Sequence, residues 1–361
     1  MKEYSCKTKI VSGSGALSEI GKLGSRRLMV VSDPYFEKNG VAAKIAQLSG
    51  AEETIIYSGV SPDPTAQQVA KAVAQIKAFT PDTVVALGGG SAMDCAKAMV
   101  YFSGLSVYFV AVPTTSGSGS EVTDFSIITH NGVKHPLIDP KLCPDLAILD
   151  SDLLKELPPG LIADTGFDVL SHALEGYVAT NGGAITDALA ADAFTAALSA
   201  LPKSFHGDLS VRGQMHTAST MAGMAFTRAG LGLCHAMSHT LGGMFHIPHG
   251  RLNAILLPKV LEVNSQNAGV KYASLARRLG FASTADTIAV RNLKNRLISL
   301  RKELKLPGSL QEAGVDEAQL SGLTPAMVEA TLKDPCCSTN PVPVTAELVR
   351  WVLKEVTGTG R

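Results

Sequence analysis

Neither sign of charge dominates this chain: 32 Lys and Arg stand against 32 Asp and Glu over 361 residues, and no run of Lys or Arg exceeds two. That balance excludes the electrostatic footprint of a nucleic-acid binder or of a protein held on an anionic membrane, and leaves small molecules as the expected partners. Long apolar runs are missing too. The opening MKEYSCKTKIVSGSG has no apolar core of signal-peptide length, and no segment reaches the roughly 18 uninterrupted apolar residues of a membrane span, so a cytoplasmic protein is expected. Cysteine is sparse and unpatterned. Cys6, Cys95, Cys143, Cys234, Cys336 and Cys337 follow no ligand or disulfide spacing, and a core of this size needs no staples, so they read as reduced thiols.

The length is about twice that of an ordinary domain, and two domains are expected. Up to about residue 150, short β-branched runs alternate with amphipathic stretches, the pattern of a parallel sheet with covering helices. Strands are predicted at Leu28 to Ser32, Glu53 to Tyr57, Thr83 to Leu87, Val107 to Val112, Phe125 to Thr129 and Leu146 to Leu149. Helices are predicted near Gly40 to Leu48, Thr65 to Ala78 and Ser91 to Phe102. Pro158-Pro159-Gly160 then breaks the pattern, and stretches such as ITDALAADAFTAALSAL carry apolar residues at helical spacing. The expectation is an α/β dinucleotide-binding domain with a parallel sheet over residues 1–160, followed by an all-helical domain over 161–361.

Residues 83–98, TVVALGGGSAMDCAKA, run from an apolar strand through three glycines to Ser91 as an N-cap and a helix from about Ala92. Without side chains at Gly88, Gly89 and Gly90 a phosphate has room, and a helix N-terminus offers it N–H groups and positive potential. No lysine follows in the P-loop arrangement, which argues against nucleotide hydrolysis. Asp33, at the end of RLMVVSD, reads either as an acceptor for the adenosine ribose or as a strand-end turn residue. A carboxylate there would repel a 2′-phosphate and favour NAD, but it precedes the glycines, the reverse of the common dinucleotide fingerprint. The loop PTTSGSGSEVTDFS adds the hydroxyls of Thr114, Thr115, Ser116 and Thr123 beside a strand end, where open α/β sheets bind ligands.

The helical half carries the sharper signal. In DTGFDVLSHALEG, Asp168 and His172 share one helix face. In GLCHAMSHTLGGMFHIPHGRLNAILLP, His235, His239, His246 and His249 fall within fifteen residues; His235 and His239 share a face, and Gly242, Gly243 and Pro248 interrupt the helix so that His249 can return. One carboxylate with three imidazoles suits Fe(II) or Zn(II) and disfavours Ca(II) and Mg(II). Such an ion acts as a Lewis acid on an alcohol or carbonyl oxygen, and with a nicotinamide the chemistry becomes hydride transfer. His130, His135, His206 and His216 lack such company.

Taken together, GGGSAMDCAK, VPTTSGSGSEVTDFS, LPPGLIADTGFDVLSHALEGYV and GLGLCHAMSHTLGGMFHIPHGRLNAILLP resemble the iron-containing (group III) alcohol dehydrogenases over nearly the whole chain, above all their shorter 1-propanol or ethanol dehydrogenase members. The resemblance implies Asp168, His172, His235 and His249 as ligands of Fe(II) or Zn(II), with His239 beside the nicotinamide and substrate as the catalytic histidine. For NAD(H) it implies Asp33 at the ribose, Gly89, Gly90, Ser91 and Asp94 at the pyrophosphate and neighbouring loop, and Thr114, Thr115, Thr123 and Lys134 along the nucleotide. It further implies a small alcohol or aldehyde substrate and a homodimer or larger homo-oligomer. Because such members work beside propanediol or ethanolamine catabolism, association with a bacterial microcompartment is the corresponding expectation. His246 receives no role. A glycerol dehydrogenase-type polyol enzyme has fewer ligands than this set, and a dehydroquinate synthase-like lyase would yield no net NADH.

Overall fold

The computed structural model describes residues 2–130, 133–281 and 283–358. The chain divides into two compact units: Ser5–Leu157 with Arg212–Gly223, and Met1–Tyr4 with Pro158–Val211 and Met224–Arg361.

In the first unit the strands are β1 (Lys9–Gly13), β2 (Arg27–Ser32), β3 (Glu53–Tyr57), β4 (Thr83–Gly88), β5 (Tyr108–Pro113), β6 (Phe125–His130), β7 (Val133–Ile138) and β8 (Leu146–Asp150). Six of them form one parallel sheet in the order β1-β8-β5-β4-β2-β3. Helices α1 (Pro34–Lys38), α2 (Val41–Ser49), α3 (Ala66–Phe79) and α4 (Gly90–Ser103) join them. Alternation along the strands sends Met29, Val31, Val84 and Ala86 into the core under α3 and α4, and Leu28, Val30, Val85 and Leu87 into the core that holds Ala42 and Ile45 of α2.

Two strands were not anticipated. β1, KIVSG, is a mostly exposed edge strand with too few apolar residues to stand out. β7 pairs antiparallel with β6 in a separate two-stranded ribbon, and its Pro136 disguises it, since proline is confined to edge positions.

The second unit is built from α5 (Pro159–Val178), α6 (Ala184–Phe205), α7 (Arg212–Ala229), α8 (Leu233–Phe245), α9 (His249–Arg278), α10 (Asp286–Glu303), α11 (Glu317–Lys333) and α12 (Ala346–Thr357). Twelve residues at the start of α7 group with the α/β unit. The reason is local: Ser116 Oγ meets His216 Nδ1 at 3.1 Å, Thr220 Oγ1 donates to Glu121 at 2.6 Å, and a Cβ on Gly223 would lie 2.8 Å from the Gly119 carbonyl oxygen. Contacts a hundred residues apart leave no trace in helical periodicity. α6 is long and apolar enough to cross a membrane by length and composition alone, and half of its most apolar window is buried. All six cysteines are free thiols.

Candidate active site

In the α/β unit, sheet order resolves the reversed order of acid and glycines. β2 connects to β3 on one side, and the chain then crosses to β4 on the other, so the topological switch point lies between β2 and β4. Register pairs Ser32 with Leu87 and Gly88 with Pro113, which sets Asp33, the glycine turn and Thr114 side by side at the carboxyl ends of adjacent strands. Thr114 N donates to Gly88 O at 3.0 Å.

The glycines serve distinct purposes. Gly88 has φ +146°, and a Cβ there would lie 2.6 Å from that of Ala92. On Gly89 a Cβ would come within 3.2 Å of Thr115 Oγ1, and on Gly90 within 3.4 Å of Ser118 Cβ, filling the space between the turn and the hydroxyl-rich loop. Gly89 is the N-cap of α4, which begins at Gly90; the expected cap at Ser91 is corrected, because β4 runs on to Gly88 and glycine itself caps acceptably. Ser91 lies in the first turn, where its Oγ accepts from Asp63 N at 3.3 Å. No side-chain hydrogen bond caps this helix, the condition under which a helix start can hold an anion.

The other nucleotide candidates fall into two groups. Asp33 caps α1 through Oδ1, accepting from Tyr35 N at 2.8 Å and Phe36 N at 3.4 Å, while Oδ2 faces the glycine turn, 3.7 Å from where a Gly88 Cβ would be. Lys134 pairs with Asp63 at 2.6 Å. Asp94 and Thr123 face inward: Ser120 Oγ donates to Asp94 at 3.4 Å, and burial pushes the Asp94 carboxyl up to about 6 against the pull of Lys97. Thr123 is fully buried, and its hydroxyl and carbonyl both accept from Lys97 Nζ, at 2.8 and 2.9 Å. Lys97, which sequence reading overlooked, gives its third proton to Phe125 O at 2.9 Å, and burial lowers its ammonium to about 8. Its signal was a lone lysine among small and apolar residues in AMDCAKAMVYF.

In the helical unit three helices bring the ligand candidates together. α5 carries Asp168 and His172 one turn apart, α8 carries His235, and His249 opens α9. Nε2 of His172, His235 and His249 lies 3.8, 3.8 and 3.5 Å from Asp168 Oδ1. Ligand atoms of Asp168, His235 and His249 are all within 4.8 Å of one another. Donors around a tetrahedral ion at about 2.0–2.1 Å stand roughly 3.3 Å apart, so Asp168, His235 and His249 are spaced to accept a divalent metal with little movement, and His172 lies beside Asp168 as the fourth donor. Burial favours the neutral acid at Asp168, but the three imidazoles outweigh it and hold the carboxyl far below its ordinary range. At His235 burial works against the charged ring, and the carboxylates of Asp168 and Glu175, the second hydrogen-bonded to Nδ1, overcome it and raise the imidazole to about 9.

Packing fixes this geometry. Gly250 lies so close to α5 that a Cβ would sit 1.8 Å from the Asp164 carbonyl oxygen, and Arg251 clamps the Asp164 carboxylate at 2.9 and 3.1 Å. His172 is stacked between Phe226 and His235, with centroids 4.4 and 4.5 Å away.

α8 runs straight through Gly242 and Gly243, contrary to the expected interruption. It ends at exposed His246, whose φ of +55° reverses the chain before Pro248 caps α9. That turn is the structural role of His246. His239 is partly exposed, stacks on His249 at 5.2 Å and meets Asp334 Oδ2 through Nδ1 at 2.8 Å. Asp334 was not anticipated: it lies ninety-five residues away, and its carboxyl is down at about 2 because the His239 and Cys336 hydrogen bonds outweigh burial. Glu175 was missed as well, although an acid seven residues beyond Asp168 on an apolar helix was its signal.

Comparison with known proteins decides the family. Residues 7–151 match the model of the iron-containing alcohol dehydrogenases, and residues 162–357 match that of the C-terminal region of the Fe-containing alcohol dehydrogenase family. This chain belongs to the iron-containing alcohol dehydrogenase family. It is 40% identical to the 1-propanol dehydrogenase PduQ of Salmonella typhimurium over 99% of this chain and 100% of that protein. It is 36% identical to the NADPH-dependent butanol dehydrogenase of Clostridium saccharobutylicum over 94% of each. Among solved structures, the iron-containing alcohol dehydrogenase of Thermococcus thioreducens superposes with a TM-score of 0.92 at 32% identity, covering 99% of this chain and 100% of that one. The sulfoacetaldehyde reductase of Bifidobacterium kashiwanohense, in complex with NAD+, gives 0.90 at 27% identity over the whole of both chains. As a family member the chain is an oxidoreductase, and the two-part architecture expected from the sequence is the family's own.

Proposed function

We propose that the enzyme interconverts a short-chain primary alcohol of the ethanol or 1-propanol class and its aldehyde, with NAD+ accepting or NADH donating the hydride. The observation that carries this reading is the convergence of Asp168, His172, His235 and His249 from three helices of a family member whose similarity to 1-propanol dehydrogenases spans its length. Those four residues would hold Fe(II), with Zn(II) the other ion the set accepts. A divalent ion there supplies Lewis acidity that lowers the pKa of an alcohol or polarises an aldehyde carbonyl.

The chain's own groups have separable tasks. Gly89, Gly90 and Ser91 offer the pyrophosphate an uncapped helix start. Asp33 Oδ2, together with Thr114, Thr115 and Lys134, lines the nucleotide, while Asp94 and Thr123 act from within by holding the loop through Ser120 and Lys97. The Asp33 carboxylate disfavours a 2′-phosphate, so NAD(H) is preferred even though a relative is named for NADPH. Asp334 orients His239, so that its Nδ1 is committed to the carboxylate and Nε2 remains to take or give the alcohol proton. A homodimer or larger assembly, cytoplasmic and associated with a microcompartment, completes the reading by resemblance.

Anaerobic metal removal and reloading tests it. Metal-free enzyme should lack NADH-linked activity across C2 to C4 aldehydes, and Fe(II) or Zn(II) should restore it. Full activity in thoroughly metal-free protein would end the proposal.

A further inference from the structure

Each ligand-bearing helix in this centre also carries a polar side chain that acts on a ligand or a supporting residue of another helix. Glu175 lies on α5, seven residues from Asp168 and three from His172, and only 2% of it is exposed. Its carboxylate accepts from Gly232 N at 3.1 Å, Cys234 N at 2.7 Å and His235 N at 3.2 Å, and accepts a further hydrogen bond from His235 Nδ1 at 2.6 Å. One buried anion thus caps the start of α8 and fixes the ring of the ligand that α8 carries. The fit leaves no slack, since a Cβ on Gly232 would lie 2.7 Å from Glu175 Oε1.

The return path runs through α9. Asn253, one turn beyond His249 and fully buried, donates from Nδ2 to Asp168 Oδ1 at 2.9 Å. Its Oδ1 accepts from Ser238 Oγ on α8 at 2.6 Å. The Asp168 carboxylate, which can only accept, decides which way the amide faces: were the amide flipped, its oxygen would oppose that carboxylate.

We propose that two hydrogen-bonded links, Glu175 to His235 and Ser238 through Asn253 to Asp168, are joined into one circuit by the backbones of α5 and α8, in which Glu175 and Ser238 are positioning residues that set the affinity and geometry of the metal centre. The inference rests on the metal-centre reading above. Glu175 holds the His235 ring so that Nε2 points at the cluster, and its negative charge strengthens the imidazole as a donor. Ser238 touches no ligand candidate in the circuit and acts on Asp168 through Asn253 alone. Orienting partners of this kind commonly alter metal affinity by about ten- to a hundredfold.

The test uses the full-length protein, stripped of metal and titrated with Co(II) and Zn(II) against a competing chelator, with the Co(II) visible spectrum recorded at saturation. Glu175→Gln, which keeps the shape and an acceptor but not the charge, should weaken binding roughly ten- to a hundredfold and shift the Co(II) bands. Ser238→Ala should weaken it several-fold and shift the bands as well, with circular dichroism and the melting temperature of its metal-free form near wild type. The double variant should lose clearly less than the product of the two single losses, because opening either link relaxes the same circuit. A full product would mean two independent supports and would overturn the circuit. Wild-type affinity and spectrum in both single variants would overturn the positioning roles while leaving the centre intact; failure of the wild type itself to bind either ion would instead overturn the metal-centre reading. Should Glu175→Gln misfold, Ser238→Ala decides through its affinity and spectrum.

Discussion

The two units build their sites from opposite materials. In the α/β unit the candidate nucleotide site is mostly backbone and empty space: strand ends brought into register, an uncapped helix start, and glycines at 88, 89 and 90 whose missing Cβ atoms leave room. In the helical unit the site is side chains: one carboxylate and three imidazoles, aimed by buried groups on neighbouring helices. A site made of space tolerates change in side chains around it but not added volume, whereas a site made of ligands fails when one donor is lost.

The largest effect that would break this contrast concerns two histidines on one face of α8. His235→Ala should abolish turnover and strip the metal, whereas His239→Ala should keep close to one metal per chain and lose about a hundred- to ten-thousandfold in rate. Metal content by mass spectrometry, with rates of aldehyde reduction, separates them. Comparable metal loss from both would place His239 among the ligands.

Next comes Gly250→Ala, which asks whether the helical site also depends on a missing Cβ. The added methyl would collide with the Asp164 backbone oxygen and should cost about 3 kcal/mol by driving α5 and α9 apart. Thermal unfolding and metal content should fall together, and an unchanged melting temperature would show that the two helices can separate freely.

Acid should distinguish the units through histidines of opposite sign. His216 is buried beside Ser116, and burial lowers it from 6.5 to about 4, so the unfolded chain binds its proton first as the pH falls. Its contribution is complete above pH 6.5 and is lost toward pH 4, on the order of 3 kcal/mol. His235, raised to about 9 in the metal-free protein, works the other way: its contribution is complete below pH 6.5 and is lost as pH rises through 9. Melting temperatures of metal-free protein from pH 4 to 7 should flatten in His216→Gln, and an unaltered slope would mean that other groups govern acid unfolding.

The smallest effect belongs to Asp33→Gly. Removing the carboxylate should narrow the preference for NAD(H) over NADP(H) by roughly ten- to a hundredfold, about 1–3 kcal/mol. Stability should scarcely move, because glycine keeps most of a helix N-cap's worth. Equal use of both cofactors by the native enzyme would refute the placement of Asp33.

Legibility in the sequence follows the same division. Asp168 and His172, and the imidazole cluster from His235 to His249, could be read because helical spacing converts directly into proximity. Five strands of the main sheet, the ribbon strand at Phe125 and the glycine turn were readable from alternation and composition, but the adjacency of Asp33 and Gly88 depends on strand order, which periodicity does not encode. Glu175, Asn253 and Asp334 escaped because each acts across fifty to a hundred residues of chain, and a polar residue on a helix does not announce which distant partner it meets. The family resemblance supplied roles for Asp33 and His239 that the residues themselves left open.

Lys97 shows how narrow a position can become when a cation is buried without a carboxylate in direct contact. Its three ammonium protons are all spoken for, by two oxygens of Thr123 and one of Phe125, and the side chain is fully enclosed. A tetrahedral donor can satisfy acceptors spread around one point; a planar guanidinium, larger and with five donors fixed in a fork, cannot. In the vocabulary of molecular evolution, the mildest-looking replacement is then among the least admissible: arginine keeps the charge yet should be rejected here, and this position should drift less than its distance from any reacting atom would suggest.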